Sequence, residues 1–488
     1  MKRPKSKTSW NYESLIEFSP DAVIITDAEM NVIAWNKYAE DMTGYGEKDV
    51  IGKSTLMFYP ADMHAYVHSL WTRLLKEKVV RNLETKIIKK DGNILDVSLS
   101  LEIITDRAGK VLSTVGIGRD ITHLKRYETE LEKLKENGLY VDNAVKLTEK
   151  EKQVLYGLVK YPSQTDGEIA RKFSIKRSTF TRIKNKLYAD GIYERFRIPN
   201  FQALGFEMMN LTYGKFNPAV RFEHRKKIGG AKLIMEIPEI IFVNSTDQEY
   251  FLITVSKNFT NFRIVSELVS GKYEKTNFLR EITHTYFPFE LSSIEKFFDY
   301  SDLLGRFFSF NNPEKPDTVK KTSAKKLKEN EKRVLYAIIK YPTETDSEIA
   351  SRLSLSKVTI NNIRNSFFEN GFFREVVIPD MSKLGFQIVV MTHMKFNVHV
   401  PREELSRLFD MMRSEPCLIF CAHGTDECVV ICIFNNYLEY KKRREEYTIL
   451  FEKTDFFLEE PKEIILSLQD LRFRKFEFSS ILKKTLEV

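Results

Sequence analysis

The chain has 488 residues, 42% hydrophobic, 12% aromatic and 30% charged, with a formal net charge of +8. At roughly 150 residues per domain this suggests about three globular domains; it excludes wholesale disorder and a collagen-like fibre, and four cysteines are too few for a disulfide framework. No apolar run approaches the roughly 18 residues of a membrane span, and the basic start Met1-Lys2-Arg3-Pro4-Lys5 lacks the apolar stretch of a secretory signal, so a cytoplasmic chain without a membrane partner is expected.

Ala22–Thr26 and Val32–Trp35 predict two short strands. Asn36 then caps a helix carrying Tyr38, Met42 and Tyr45 and closing near Gly44. Alternation over Glu84–Ile88, Ile94–Leu99 and Val111–Val115 predicts antiparallel strands, with a hairpin turn at Asp91-Gly92-Asn93. This order, with Ser19-Pro20-Asp21-Ala22, Trp35-Asn36, Gly52-Lys53, Lys90-Asp91-Gly92 and Gly118-Arg119-Asp120-Ile121-Thr122, resembles the PAS (S-box) sensor family over residues 10–123. The resemblance implies a five-stranded antiparallel sheet with helices on one face, cupping a small ligand or forming a dimer. The flavin-adduct version needs a reactive cysteine, which this segment lacks. A haem version needs an axial imidazole; His64 and His68, one turn apart on a predicted helix from Ala61 to Lys76, are the candidates. Haem, another small ligand and no cofactor all remain open.

Residues 124–143 are expected to form a helical, coiled-coil-like connector. Leu124, Tyr127, Leu131 and Leu134 give a narrow heptad seam, read as a dimerising signalling helix or as a plain amphipathic linker.

Residues 146–217 then recur at 326–397, a constant 180 positions later. The pairs include Lys160-Tyr161-Pro162 with Lys340-Tyr341-Pro342 and Leu204-Gly205-Phe206 with Leu384-Gly385-Phe386. Each copy is too long for a solenoid repeat and reads as a duplicated two-domain module. Capping boxes at Thr148–Glu151 and Thr165–Glu168 open two helices, and a third runs from about Arg177 to Ala189 with Phe180, Ile183 and Leu187 on one face. Three helices with a tight turn before the last predict a helix-turn-helix, with Tyr193–Ile198 as a wing strand. The winged helix-turn-helix units are placed at residues 144–205 and 326–385, separated by a βαββαβ, ferredoxin-like domain at 206–310 and a polar linker at 311–325. A second ferredoxin-like domain follows at 386–488. The fold class is thus α+β multidomain.

The third helix of copy one carries the DNA-binding candidates Lys176, Arg177, Ser178, Thr179, Thr181, Arg182, Lys184, Asn185 and Lys186, with no acidic residue from Arg171 to Tyr188. Lysine and arginine neutralise phosphates, whereas Ser, Thr, Asn and Arg reach base edges in the major groove. Copy two offers the weaker set Lys357, Thr359, Asn361, Asn362, Arg364 and Asn365. A winged helix followed by βαββαβ resembles the Lrp/AsnC-type prokaryotic regulators, in which the second part assembles subunits and senses small molecules. The whole layout resembles a PAS-containing, archaeal or bacterial transcription regulator.

Cys417, Cys421, Cys428 and Cys432 share one predicted hairpin. A turn centred on Gly424-Thr425 would set Cys421 opposite Cys428 and Cys417 opposite Cys432, two pairs roughly 13 Å apart. One tetrahedral metal cannot take all four, so no metal is expected; a redox switch and small core fillers are the two readings. No Gly-rich phosphate loop, kinase-type ATP motif or paired metal-binding carboxylates occur, and His123 lacks a downstream ATPase, so no enzyme is expected. The reading is a sensor-gated, sequence-specific DNA-binding regulator, homodimeric, with double-stranded DNA and a small PAS ligand as partners. A PAS-linked signalling enzyme and an RNA- or protein-binding scaffold are the alternatives.

Overall fold

The computed structural model describes residues 21–106, 108–122, 125, 144–220, 222–227, 230–274, 277–310, 326–397, 399–452 and 456–488. Ser19, Pro20, His123, the seam residues Leu124, Tyr127, Leu131 and Leu134, and the 311–325 linker lie outside the described residues. The chain divides into two units, the first ending at residue 141 and the second starting at residue 142.

In the first unit, β1 (Ala22–Thr26) and β2 (Val32–Trp35) lead to α1 (Lys37–Thr43) and α2 (Glu47–Val50), then α3 (His64–Glu77). The sheet is completed by β3 (Val79–Ile88), β4 (Ile94–Thr105) and β5 (Val111–Asp120), in the order β2-β1-β5-β4-β3, antiparallel throughout. Asn36 makes the expected cap and more: its Oδ1 accepts from the Ala39 amide (2.9 Å) and from the Val23 amide (2.9 Å), so one side chain starts α1 and ties it to β1. Gly44, at φ 77°, ends α1 in the left-handed conformation that a side chain would disfavour. Arg119 grips Asp21 through Nε (3.1 Å) and Nη2 (2.9 Å), joining the two ends of the domain.

The second unit opens with three helices, α4 (Glu149–Lys160), α5 (Asp166–Lys172) and α6 (Arg177–Ala189), followed by β6 (Tyr193–Pro199). Both predicted capping boxes form: Thr148 and Thr165 accept from the amides of Glu151 and Glu168, whose carboxylates bond back. Next come β7 (Met208–Phe216), α7 (Phe222–Lys227), α8 (Gly230–Glu236), β8 (Ile240–Ser245), β9 (Glu249–Ser256), α9 (Phe259–Glu274), β10 (Leu279–Pro288), β11 (Ser293–Phe297) and α10 (Ser301–Phe307). The second copy supplies α11 (Glu329–Lys340), α12 (Asp346–Leu353), α13 (Lys357–Glu369) and β12 (Phe373–Pro379). It continues with β13 (Ile388–Lys395), α14 (Arg402–Arg413), β14 (Leu418–His423), β15 (Glu427–Phe434), α15 (Tyr437–Glu452), β16 (Lys462–Ser467), β17 (Phe473–Phe476) and α16 (Ser479–Leu486).

In each copy the four strands of the βαββαβ run are ordered fourth, first, third, second: β10-β7-β9-β8 and β16-β13-β15-β14. A fifth strand is then exchanged. β17 of copy two closes the copy-one sheet beside β8, and β11 of copy one closes the copy-two sheet beside β14. Among the described residues β6 has no strand partner in its own three-helix unit; it pairs antiparallel with its repeat counterpart β12. The expected wing is therefore shared between copies instead of folding back as a hairpin. The charges of β6 suit β12 as its partner. Arg195 and Arg197 both reach Glu375 on β12 (3.1 and 3.0 Å), whereas two copies of β6 would set arginine against arginine.

One face of each sheet turns towards the other. Met209 and Leu211 of β7 share a continuous core with Val389 and Met391 of β13 and with Leu155, Phe180 and Leu335 of the three-helix units. The opposite faces are covered by α7–α9 and by α14–α15, each with its own smaller core.

Candidate nucleic-acid surface and sensor cavity

α6 buries Phe180, Ile183 and Leu187, which fixes the orientation of everything else on it. Its inner flank docks on the start of α5. Lys184 Nζ meets Asp166 Oδ2 at 2.7 Å and Thr181 Oγ1 donates to the same oxygen at 3.1 Å. Lys186 pairs with Glu151 at 2.7 Å. Thus Thr181, Lys184 and Lys186, expected to touch DNA, already have structural partners. Lys176, Arg177, Ser178, Arg182 and Asn185 are exposed, and Thr179 is half-buried beside them. This outer face keeps five kinds of base- or phosphate-reaching groups and no carboxylate.

The same device recurs in copy two. Arg364 Nη1 meets Asp346 Oδ1 at 2.8 Å, and Asn361 Nδ2 donates to Asp346 Oδ2 at 3.0 Å. Ser356 caps α13 and its hydroxyl lies 2.8 Å from that of Thr359. The exposed remainder is Lys357, Asn362 and Asn365, next to Val358, 68% exposed. After its internal pairing, α13 presents one cation where α6 presents three.

In the first unit a cavity of about 100 Å3 lies between the sheet and α3. That is several times the space one water needs, roughly 10–15 Å3. Val67, Leu70 and Leu74 of α3 line it, with Trp35 and Phe58 stacked at 5.1 Å. Polar atoms are few. Burial pushes the Tyr59 phenol up to about 12, so it is neutral, and the buried Thr114 hydroxyl has no hydrogen-bond partner among the described residues. The two candidate axial imidazoles are not placed for haem. The inward phase of α3 is set by Val67, Leu70 and Leu74; His68 is exposed, and His64 sits at the helix start with Nε2 3.2 Å from the Tyr59 carbonyl. Neither imidazole lines the cavity. A thiol-adduct flavin does not fit either, because every cysteine lies between residues 417 and 432.

The cysteine register also differs from expectation. A three-residue turn and an irregularity between Leu418 and Phe420 put Cys428 opposite His423 and Cys432 opposite Leu418. The thiols still approach on the diagonal: Cys421 and Cys428 lie with sulfurs 4.0 Å apart, about twice a disulfide bond length. All four are free. Burial, with the neighbouring Cys421, raises the Cys428 thiol well above its usual range; the Cys417 contact and burial raise Cys432. Such thiols stay protonated and inert. Among the described residues no cluster of His, Cys, Asp or Glu could hold a metal, and no helix is long and apolar enough to cross a membrane.

Residues 11–121 match the PAS fold family. The aerobic respiration control sensor protein ArcB of Escherichia coli (strain K12) is 28% identical over 120 residues, covering 25% of this chain and 15% of ArcB. A blue-light photoreceptor of Listeria monocytogenes is 31% identical over 121 residues, covering 24% of this chain and 47% of that protein. The matched segment spans less than half of either relative. Among solved structures, a PAS domain from Colwellia psychrerythraea is 24% identical, with a TM-score of 0.22, over 23% of this chain and 95% of its own. The siroheme decarboxylase NirDL covers 70% of this chain and 99% of its own, with 14% identity and a TM-score of 0.41.

Proposed function

We propose that this chain, with a PAS domain at residues 11–121, is a sensor-gated, sequence-specific DNA-binding transcription regulator and not an enzyme. A small, mostly apolar molecule with one hydrogen-bonding group enters the PAS cavity, where the Thr114 hydroxyl meets it. The connector at 124–143 pairs two chains and passes the signal on. α4–α6 and α11–α13 act as helix-turn-helix units in the manner of prokaryotic, archaeal-type Lrp/AsnC regulators. α6 enters the major groove, with Lys176, Arg177 and Arg182 on phosphates or guanine edges and Ser178, Thr179 and Asn185 among the bases.

The observation that carries this reading is the exposed, carboxylate-free face of α6. A solvated face of ordinary composition mixes both signs, and here Asp166 and Glu151 are paired with Lys184 and Lys186. The β6–β12 pairing relates the two three-helix units as subunits of a dimer are related. The operator is therefore two similar half-sites, one read strongly by α6 and one weakly by α13. Selection and sequencing of duplex DNA retained by the purified intact chain tests this. Enrichment of such a motif is expected; recovery of duplexes without sequence preference, or preference for RNA, contradicts it.

A further inference from the structure

The two sheets share strand order, yet the space between sheet and helices differs between them. In copy one it is a cavity of about 80 Å3, enclosed by the outer face of β7–β9–β8 and by α7–α9. Its walls are aliphatic, Ile234, Val243, Leu252, Val265 and Val269 among them, and Phe473 of the exchanged strand β17 closes one side. Polar side chains interrupt this lining, His284 and Arg225 among them. His284 is held by Thr212 (Nδ1 to Oγ1, 2.9 Å) and Ser266 (Nε2 to Oγ, 3.3 Å) and is kept neutral by burial. The buried Arg225 lies over the Phe216 ring at 3.8 Å and donates to the Asp247 carbonyl.

Copy two uses the same positions for packing. Glu463 stands opposite Thr392 as His284 stands opposite Thr212, and it accepts from Tyr440 (2.8 Å) and pairs with Arg444 (3.1 Å). Cys421 and Cys428 meet where Val243 and Tyr250 line the copy-one cavity. His423 stacks on Phe409 at 3.8 Å. The position 180 residues after Arg225 is Leu405, buried in apolar contacts. Among the described residues, His284 and Arg225 thus have no like counterpart in copy two, although both copies share one topology.

We propose that copy one binds a small amphipathic carboxylate in this cavity, its aliphatic body among Val243, Leu252 and Val265 and its carboxylate on Arg225. A guanidinium is a planar fork matched to a carboxylate, and Lys226 of the same short helix also lines the cavity. The apolar lining supplies the affinity and the guanidinium the orientation, the usual division of labour in small-molecule sites. This binding does not depend on the PAS cavity or on DNA recognition.

The test uses octanoate and octan-1-ol as probes, titrated calorimetrically into the intact chain, with hydrogen exchange to locate the protection. Octanoate is expected to saturate, to bind about tenfold more tightly than the alcohol, and to protect residues 222–227 and 262–269. Arg225→Met is expected to remove the preference for the acid, and Val265→Trp to abolish binding by filling the space. Absence of saturable binding, equal affinity for acid and alcohol, or protection confined to residues 21–122 overturns the proposal. The exchange map needs no substitution, so it decides the matter even where a variant fails to fold.

Discussion

Tyr213 and His393 occupy the same position in the two copies, 180 residues apart, and hydrogen-bond to each other at 2.8 Å. His393 Nε2 lies 3.1 Å from Glu427 Oε2, so that nitrogen donates; in the neutral ring Nδ1 then accepts from the Tyr213 hydroxyl. A duplicated sequence has met itself across an internal pseudo-two-fold, with tyrosine on one side and histidine on the other. Tyr213→Phe leaves the buried Nδ1 without its donor and is expected to cost about 1–3 kcal/mol. Urea unfolding followed on the 142–488 unit checks this; an unchanged midpoint contradicts it.

Glu375 is the second point where the copies hold each other. It bridges Arg195 and Arg197, and Arg197 also donates to the Ile338 carbonyl at 3.1 Å. Removing the shared carboxylate by Glu375→Ala leaves two guanidinium groups without their anion and is expected to lower stability by about 3–5 kcal/mol. Thermal unfolding measures it, and a loss of only a few tenths contradicts the bridge.

Glu151 gives a pH signature. The Lys186 ammonium, and then the Thr148 amide, hold its carboxyl at about 2 against an ordinary 4.5. A carboxyl depressed on folding stabilises fully above about 4.5, and that contribution fades as the pH falls towards 2. The melting temperature of Glu151→Gln is therefore expected to lie below the wild type near neutrality and to converge with it as the solution is acidified. A gap that stays constant across that range contradicts the assignment.

The buried thiols are expected to be silent. Cys428 and Cys432, raised by burial and by their neighbours, should alkylate slowly in the native chain at pH 8 and all four rapidly in guanidinium. Mass spectrometry of iodoacetamide-treated protein checks this. Fast native modification of a pair would restore the redox reading.

Local signals were legible in the sequence wherever chemistry and structure meet within a few residues. Asn36 announced α1, Gly92 the hairpin, and Thr165–Glu168 the second helix of the first three-helix unit. The strand exchange was not legible. Ser293–Phe297 and Phe473–Phe476 are short and charged, and each finds its partner more than a hundred residues away. Lys475 shows why a charged strand can be buried: its ammonium caps the carbonyls of Ile234, Met235 and Ile237 at the end of α8, a partner set that only the fold assembles. At the candidate site, helix phase separated the residues. The apolar stripe of α6 identified the outer face, but the pairing of Lys184 with Asp166 and of Lys186 with Glu151 required the packing angle between helices. The same limit applies to His68, whose spacing from His64 does not reveal that Val67 and Leu70 take the inward phase.

The affinity of the selected duplex for Arg182→Ala, beside Lys184→Ala, tests the DNA-binding face most directly. Arg182 is exposed, so its loss is expected to weaken binding by about 1–3 kcal/mol while the melting temperature holds. Lys184 braces α6 against Asp166, so its loss is expected to lower the melting temperature. Arg182→Ala binding as tightly as the wild type, with the same dependence on salt, would contradict the account.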